Sequence, residues 1–508
     1  MAEMKYYTAA SYVDLMKERE MLAEYNLYEK DETVIKLLTY NSKEVVPDTM
    51  FICKGAAFKA EYLKESVQKG AVCYISEQKY ELEEEVPYIL VKDIRKAMSV
   101  LANYYYNNPW EDLTVVGIGG TKGKSTSAYY MKSVVDDFLA AQSKTDSAVI
   151  SSIDIYDGKS TVESHITTPE AVELQCHFRN ALDCGMEYAQ MEISSQALKY
   201  HRVDDMKFDV AVFLNVSEDH ISPIEHADFE DYFSSKMLMF AKTKTAVVNL
   251  DADYIDRILK EAEASEEVIT FSTKNPDADY YAYNIVKDGQ NTNFMVRCAE
   301  FDEQFTLTMP GLFNVENALG VIASAVRIGI PKEYIHSGLL RARSSGRMEL
   351  YASEDKKILA IVDYAHNKLS FEKLFSSMRE EYPEYEIIAV FGCPGKKALI
   401  RRRDLGTVAG QYSKKVYLTA EDPGYEPVED ISKDIAQYVE AQNCPYAMIE
   451  DRGDAIRDAI RTAEGKTLLL VTGKGGETRQ KYGSQYIDCP SDVEYVKRYL
   501  KAYDEGAL

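Results

Sequence analysis

Apolar residues along this chain come in short runs separated by polar, glycine-containing loops. Thr49 to Cys53, Ala71 to Ile75 and Tyr88 to Val91 read as strands set among helical segments. The tract Asn107-Asn108-Pro109-Trp110 reads as a turn and a boundary. Leu113 to Ile118 then has the pattern of a buried strand, and Ser125 to Ala140 carries Ala128, Met131, Val135 and Phe138 at helical spacing. Glu187 to Ile193 and Phe208 to Val216 are further strand-like runs. Strand alternating with helix predicts a parallel sheet covered on both faces. After a second break at Ser344-Ser345-Gly346-Arg347, strand patterns return at Ile358 to Val362, Glu386 to Phe391, Lys415 to Leu418 and Thr467 to Val471. The expected fold class is α/β in three domains, 1–108, 109–340 and 341–508, with a parallel-sheet central domain and a Rossmann-like C-terminal one. Ligands in such sheets sit beyond the carboxyl ends of the strands.

A length of 508 residues agrees with about three domains. The net charge of −24 argues against a nucleic-acid partner, which calls for a basic surface. It leaves phosphate ligands open, because a nest of backbone N–H groups with a few cations binds them on an acidic protein. The eight cysteines include no Cys-x-x-Cys pair, the usage of free thiols in a reducing compartment. No apolar run approaches a membrane span, and Met-Ala-Glu-Met-Lys at the start is no signal peptide. A soluble cytoplasmic protein without membrane insertion is the expectation.

Between the strand at 113–118 and the helix at 125–140 lies Gly117-Ile118-Gly119-Gly120-Thr121-Lys122-Gly123-Lys124-Ser125-Thr126. Glycines let backbone N–H groups converge on phosphate oxygens, and the helix N-terminus adds positive potential. Lys124 can reach the β and γ phosphates, and Ser125 or Thr126 can bind Mg²⁺. The strict P-loop spacing fails by one position: its first glycine would fall on Ile118, and Gly117 stands beside it. By itself this P-loop-like turn in the central domain points to nucleotide phosphates, not to a particular reaction.

The segment Gly120-Thr121-Lys122-Gly123-Lys124-Ser125-Thr126 resembles the G-T-N-G-K-[ST]-T signature of the Mur ligase superfamily. Further matches follow in order: Thr167-Thr168-Pro169-Glu170, Met191-Glu192-Ile193-Ser194-Ser195, Asn215-Val216-Ser217-Glu218-Asp219-His220 and Tyr232-Phe233-Ser234-Ser235-Lys236. Gly311 to Ala318, Ser345 to Glu349, Asp363 to Asn367 and Thr472 to Glu477 complete the series. The resemblance implies an N-terminal UDP-substrate domain, a central ATPase and a C-terminal amino-acid-binding domain. It also implies a two-step reaction, in which ATP converts a carboxylate into an acyl phosphate and an amine displaces the phosphate.

By the same resemblance, Lys124, Glu192, His220 and Lys236 form the catalytic set. Ser125, Glu192, His220 and Lys236 would hold Mg²⁺, Lys236 as its N6-carboxylated form. A carbamate is an anionic oxygen donor, which suits a hard cation as a lysine ammonium does not. Gly120 to Thr126, with Asn314, Asn317, Arg347, Asp363 and His366, would hold ATP: the asparagine amides at adenine, Arg347 at phosphate and Asp363 at ribose. Ser42, Thr167, Thr168, Ser194 and Arg202 would hold a UDP-sugar-peptide. Asn41-Ser42-Lys43 stands where tripeptide synthetases have Asp-Ser-Arg, so lysine replaces the bidentate fork of arginine.

The amino acid added would be set by Thr419-Ala420-Glu421-Asp422-Pro423-Gly424-Tyr425-Glu426, aligned with the Asp-Asn-Pro-Arg region of the family. Members that add meso-diaminopimelate have an arginine where this chain has Gly424. The surrounding Glu421, Asp422 and Glu426, with Glu477, fit an ammonium group rather than a second carboxylate. L-Lysine is the first expectation and L-ornithine the second. Lys397 or Arg401 would hold the α-carboxylate. Lys122, Gln196, Lys368 and Gly476 depart from the family's Asn, His, Pro and His. Those departures keep two alternatives open, a divergent member joining another carboxylate and amine, and a non-catalytic nucleotide-binding scaffold. A monomer is expected.

Overall fold

The computed structural model describes residues 4–55, 58–164, 166–218, 225–289, 291–396 and 399–508. The expected site residues His220 and Lys397 lie outside the described residues. The chain forms two compact units, one of residues up to Phe271 with Gly320–Ile335, the other of Ser272–Leu319 with His336–Leu508.

The first unit holds two sheets. The N-terminal one runs Leu22–Asn26, Tyr88–Val91, Ala71–Ser76, Thr49–Ile52, Leu37–Thr39, with only its first pair antiparallel. Helix Ile94–Tyr105 starts where the Asp93 carboxylate accepts from the N–H groups of Arg95 and Lys96, and it buries Ile94, Ala97, Met98, Leu101 and Tyr105. That spacing keeps one stripe on the sheet. Met50, Ile75 and Ile89 complete the layer from the strand side.

The second sheet runs Glu267–Ser272, Thr243–Asn249, Phe208–Phe213, Thr114–Gly119, Tyr188–Glu192, Ala148–Ile150, all parallel, and then turns antiparallel through Asp154–Tyr156 and Thr161–Glu163. Helix Lys124–Ala141 buries Ala128, Met131, Val134 and Val135, while Phe138 stands edge-on against Tyr334 at 5.5 Å. The chain leaves Thr114–Gly119 toward one side of the sheet and later returns to its other side, so the carboxyl end of this strand is a topological switch point. The strand expected over 208–216 ends at Phe213. Leu214 still donates to the Gly119 carbonyl (3.1 Å), and Asn215 then turns to clasp the glycine loop.

In the second unit a sheet runs Glu349–Ala352, Ile358–Asp363, Thr467–Thr472, Glu386–Phe391, Lys415–Leu418, Tyr446–Met448, parallel except for its first pair. Thr467–Thr472 is buried throughout, as a central strand covered on both faces must be. An antiparallel set, Tyr280–Asp288, Asn291–Arg297, Asp302–Leu307, and a ribbon, Arg479–Tyr482 with Gln485–Asp488, belong to the same unit. No helix among the described residues is long and apolar enough to cross a membrane.

Candidate active site

The glycine loop is fixed from outside as well as by its own glycines. Gly120 and Gly123 have φ of +139° and +90°, values an L side chain resists. A Cβ on Gly120 would lie 3.1 Å from that of Leu214. Asn215 accepts from Thr121 N–H (3.0 Å) through its backbone carbonyl and from Lys122 N–H (2.9 Å) through its side chain, and its amide donates back to the Lys122 carbonyl (3.1 Å). The Thr121 hydroxyl meets the Tyr232 hydroxyl at 2.9 Å and accepts from Ser217 N–H at 3.1 Å.

Two lysines converge on this turn. Lys124 Nζ donates to the carbonyls of Gly120 (3.1 Å) and Thr121 (3.2 Å). Lys236, buried on helix Phe229–Met237, donates to the same Gly120 carbonyl at 2.8 Å and lies over the Tyr232 ring. Glu192, 1% exposed, closes strand Tyr188–Glu192. Its Oε1 accepts from the Ser152 backbone N–H (2.8 Å) and hydroxyl (3.1 Å), and Ser152 Oγ is 3.1 Å from Ser125 Oγ. The structure thus brings Gly120 to Thr126, Lys236 and Glu192 together.

The expected acceptor-binding residues form an adjoining network. Thr168 Oγ1 donates to the Glu192 carbonyl (2.9 Å) and accepts from Ser194 N–H (3.1 Å). Arg202 donates to the Thr168 carbonyl (3.1 Å) and pairs with Glu170 (2.8 Å), whose other oxygen takes Lys54 of the N-terminal sheet region (2.7 Å). Burial would raise the Glu170 pKa, but Arg202 and Lys54 outweigh it and hold the carboxyl below its ordinary range. Thr167 is half-buried beside Thr168. Ser42 is engaged elsewhere: its hydroxyl donates to Glu65 (3.1 Å) and its carbonyl accepts from Lys69 (2.9 Å). Beyond the ends of the N-terminal strands lies a cavity of about 720 Å³ whose walls include Phe58, Tyr80, Lys92 and Arg95.

In the second unit Asp363 ends strand Ile358–Asp363 and accepts from Met348 N–H (2.9 Å) and Ala365 N–H (2.8 Å), which fixes the turn carrying Arg347. The Arg347 guanidinium lies 4.4 Å over the Tyr364 ring, and His366 Nδ1 is 2.8 Å from the Tyr364 carbonyl. Asn314 spends its amide on the Pro310 carbonyl (2.7 Å) and accepts from Asn317 (2.9 Å).

The acidic residues expected at the amine divide into three environments. Lys474, 3% exposed, pairs with Asp422 at 3.0 Å and with Glu477. Burial would lower the lysine's pKa, but the two carboxylates raise it above its ordinary value. Glu426 is taken by Arg402 (2.7 Å) and by Lys396 N–H (2.8 Å), so it belongs to the scaffold of the loop after Phe391. Glu421 has no ion pair among the described residues. Burial pushes its carboxyl up to about 7 against the opposing charges of Arg452, Lys474 and Arg401. The loops carrying these acids are joined by Arg452, which pairs with Asp492 (2.6 Å) and donates to the carbonyls of Ala420 (3.2 Å) and Thr472 (2.6 Å). Gly424 has φ +59°, and its N–H and carbonyl bond to Lys481 and Gly483 of the ribbon.

Sequence reasoning passed over Ser152, Lys54 and Arg452, which lie in no quoted motif. It gave no role to Asn215, Glu170 and Lys474, although each stands inside one.

A glycine loop with two converging lysines at a sheet switch point has the form of a nucleotide-phosphate site, and a second α/β sheet carries an acid-rich loop cluster. The chain matches the Mur ligase middle domain over residues 118–325 and the Mur ligase glutamate ligase domain over 346–475. The UDP-N-acetylmuramoyl-L-alanyl-D-glutamate–L-lysine ligases of Streptococcus pyogenes strains MGAS10270 and MGAS9429 are each 37% identical to it, covering 91% of this chain and 92% of theirs. Among solved structures, a UDP-N-acetylmuramoyl-L-alanyl-D-glutamate–2,6-diaminopimelate ligase superposes with a TM-score of 0.67 at 21% identity, over 98% of this chain and 99% of that one. The MurF ligase of Thermotoga maritima in complex with ADP gives 0.62 at 17% identity, over 93% and 98%. The chain belongs to the Mur ligase family.

Proposed function

We propose that this protein joins L-lysine, and L-ornithine as second choice, to UDP-N-acetylmuramoyl-L-alanyl-D-glutamate at the expense of ATP, in the assembly of the peptidoglycan precursor. The acceptor carboxylate attacks the γ-phosphorus, ADP departs, and the amine then attacks the acyl carbon and expels phosphate. The work is assigned to a monomer in the cytoplasm, with domains at 1–108, 109–340 and 341–508.

The observation that carries the first half is the convergence of Lys124 and Lys236 on Gly120, next to Ser125 and Glu192. Within Gly120 to Thr126 the N–H groups of Thr121 and Lys122 are held by Asn215, so those at the start of helix Lys124–Ala141 are assigned to the phosphates, and Lys124 exchanges its carbonyl partners for phosphate oxygens. Arg347, Asp363, His366, Asn314 and Asn317 are assigned to the nucleotide from the C-terminal side. The hydroxyl of Ser125 and the carboxylate of Glu192 are hard oxygen donors, which fit Mg²⁺. Glu192 spends only Oε1 on side-chain hydrogen bonds among the described residues and keeps Oε2 for such a ligand. Bound Mg²⁺ would neutralise charge on the transferring phosphoryl group. N6-carboxylation of Lys236 would turn a donor to Gly120 into a third oxygen ligand, and His220 is assigned to the same group.

The amine half rests on Glu421. Lys474 already neutralises part of the Asp422 and Glu477 charge, whereas Glu421 is a buried carboxylate without an ion pair beside them. A side-chain ammonium supplies the missing charge. Gly424 offers no cation to a second carboxylate, which favours lysine over diaminopimelate, and the names of the 37% identical relatives agree. Arg401 or Lys397 would take the α-carboxylate. Thr167, Thr168, Ser194 and Arg202 are assigned to the acceptor's anionic part and the N-terminal cavity to its uridine end, where Ser42 would first have to give up its bond to Glu65.

Phosphate release tests the class. It should require ATP, the UDP-muramoyl dipeptide and an amino acid together; release that ignores the dipeptide would reject this acceptor.

A further inference from the structure

Two residues assigned above to the cation, Ser125 on the nucleotide loop and Glu192 on the neighbouring strand, have no direct hydrogen bond among those described. Ser152 stands between them. It follows strand Ala148–Ile150, which pairs with Tyr188–Glu192, so its backbone is fixed relative to Glu192 by the sheet. Its N–H and hydroxyl both donate to one oxygen, Glu192 Oε1, at 2.8 and 3.1 Å, and the hydroxyl oxygen lies 3.1 Å from Ser125 Oγ.

The loop that carries Ser152 is itself held. Ser151 Oγ accepts from Ile153 N–H (3.0 Å) and Asp154 N–H (3.2 Å), and Asp154 takes the hydroxyl of Tyr129, which belongs to the helix that begins at Lys124. A buried carboxylate with two free torsions beyond its Cβ would otherwise sample several rotamers. Two donors on one oxygen select a single rotamer and leave the other oxygen without a hydrogen bond among those described.

We propose that Ser152 is a positioning residue of the cation site. It locks Glu192 through Oε1 and sets the spacing between Glu192 and Ser125, so that Glu192 Oε2 and Ser125 Oγ meet the cation together. The inference rests on the reading of Ser125 and Glu192 as cation ligands. A serine that merely caps its own turn would leave metal affinity untouched.

The test measures Mn²⁺ binding by electron paramagnetic resonance on the full chain with ADP, alongside ADP affinity without metal and the Mg²⁺ dependence of turnover. Ser152→Ala keeps the backbone donor and loses the hydroxyl. It should raise the metal concentration for half-occupancy on the order of five- to tenfold, because a hydrogen bond to a charged group is lost. Metal-free ADP affinity should stay unchanged, and Ser152→Thr should remain within about twofold of wild type by keeping the hydroxyl. If the alanine protein does not fold, Ser152→Cys, a weak donor of similar size, carries the same expectation. An unchanged metal curve for Ser152→Ala, or an equal loss of metal-free ADP binding, overturns the proposal. Glu192→Gln separates the two levels. If it binds metal as the wild type does, the reading of Glu192 fails. If it loses metal while Ser152→Ala does not, only the role of Ser152 fails.

Discussion

The glycine loop and the acid cluster of the C-terminal sheet both gather charged side chains, and the described bonds of those side chains differ. Around the loop, Lys124 and Lys236 give hydrogen bonds to neutral backbone carbonyls. In the acid cluster, Lys474 pairs with two carboxylates, Arg452 with Asp492 and Arg402 with Glu426. Giving up a bond to a carbonyl costs a neutral hydrogen bond, whereas a cation that leaves a carboxylate leaves a buried charge behind. Bonds of the first kind are the more easily exchanged for an arriving anion. The second ties Asp422, Glu477, Asp492 and Glu426 into ion pairs and leaves Glu421 without one among the described residues.

That contrast orders the expected effects. Lys124→Ala should lower turnover about a hundred- to a thousandfold, the size of losing one preorganised charge at a reacting phosphate, as read by phosphate release; a loss under tenfold would mean the lysine is only a loop brace. Lys236→Ala should come next, at about a hundredfold, with partial recovery when a short carboxylic acid is supplied in solution. Recovery supports the carbamate, and unchanged activity removes Lys236 from the site.

Glu421→Gln should raise the KM for the amine about tenfold, the worth of one charge-assisted contact, while leaving the KM for ATP alone. Its pH behaviour is also fixed in sign. Burial places the folded carboxyl near 7, above its ordinary value of 4.5. Without ligand the folded state therefore binds this proton more tightly than the unfolded chain, and this group's contribution to stability falls as pH rises from the ordinary value through 7. Amine affinity, which needs the ionised form, should rise over the same range. Melting curves at pH 5.5 and 8 should show the glutamine variant relatively more stable at the higher pH; the reverse order would contradict the burial account. The smallest effect is expected at Gly424. Alanine there meets only the Gly483 carbonyl oxygen, at 4.0 Å, but must adopt φ +59°, a cost of about 1 kcal/mol and a Tm drop of roughly 2–4 °C, with lysine still preferred.

Sequence patterning exposed most of the sheet framework, because central parallel strands are unbroken apolar runs: Thr114–Gly119, Glu386–Phe391 and Thr467–Thr472 lie within a residue of their expected bounds. The motif order exposed the loop, Glu192 and Lys236. It could not expose pairings between side chains far apart in the chain. Ser152 meets Glu192 across 40 positions and Lys474 meets Asp422 across 52, and nothing local marks either. For the same reason Glu426 looked equivalent to Glu421 in sequence, although Arg402 pairs with Glu426 and not with Glu421.

The most direct measurement is a competition. The protein receives ATP, Mg²⁺, UDP-N-acetylmuramoyl-L-alanyl-D-glutamate and equal amounts of L-lysine, L-ornithine and meso-diaminopimelate, and the product is weighed by mass spectrometry. The account predicts the lysine adduct in excess, with ornithine second. A diaminopimelate adduct in excess, or no adduct with any of the three, would contradict it.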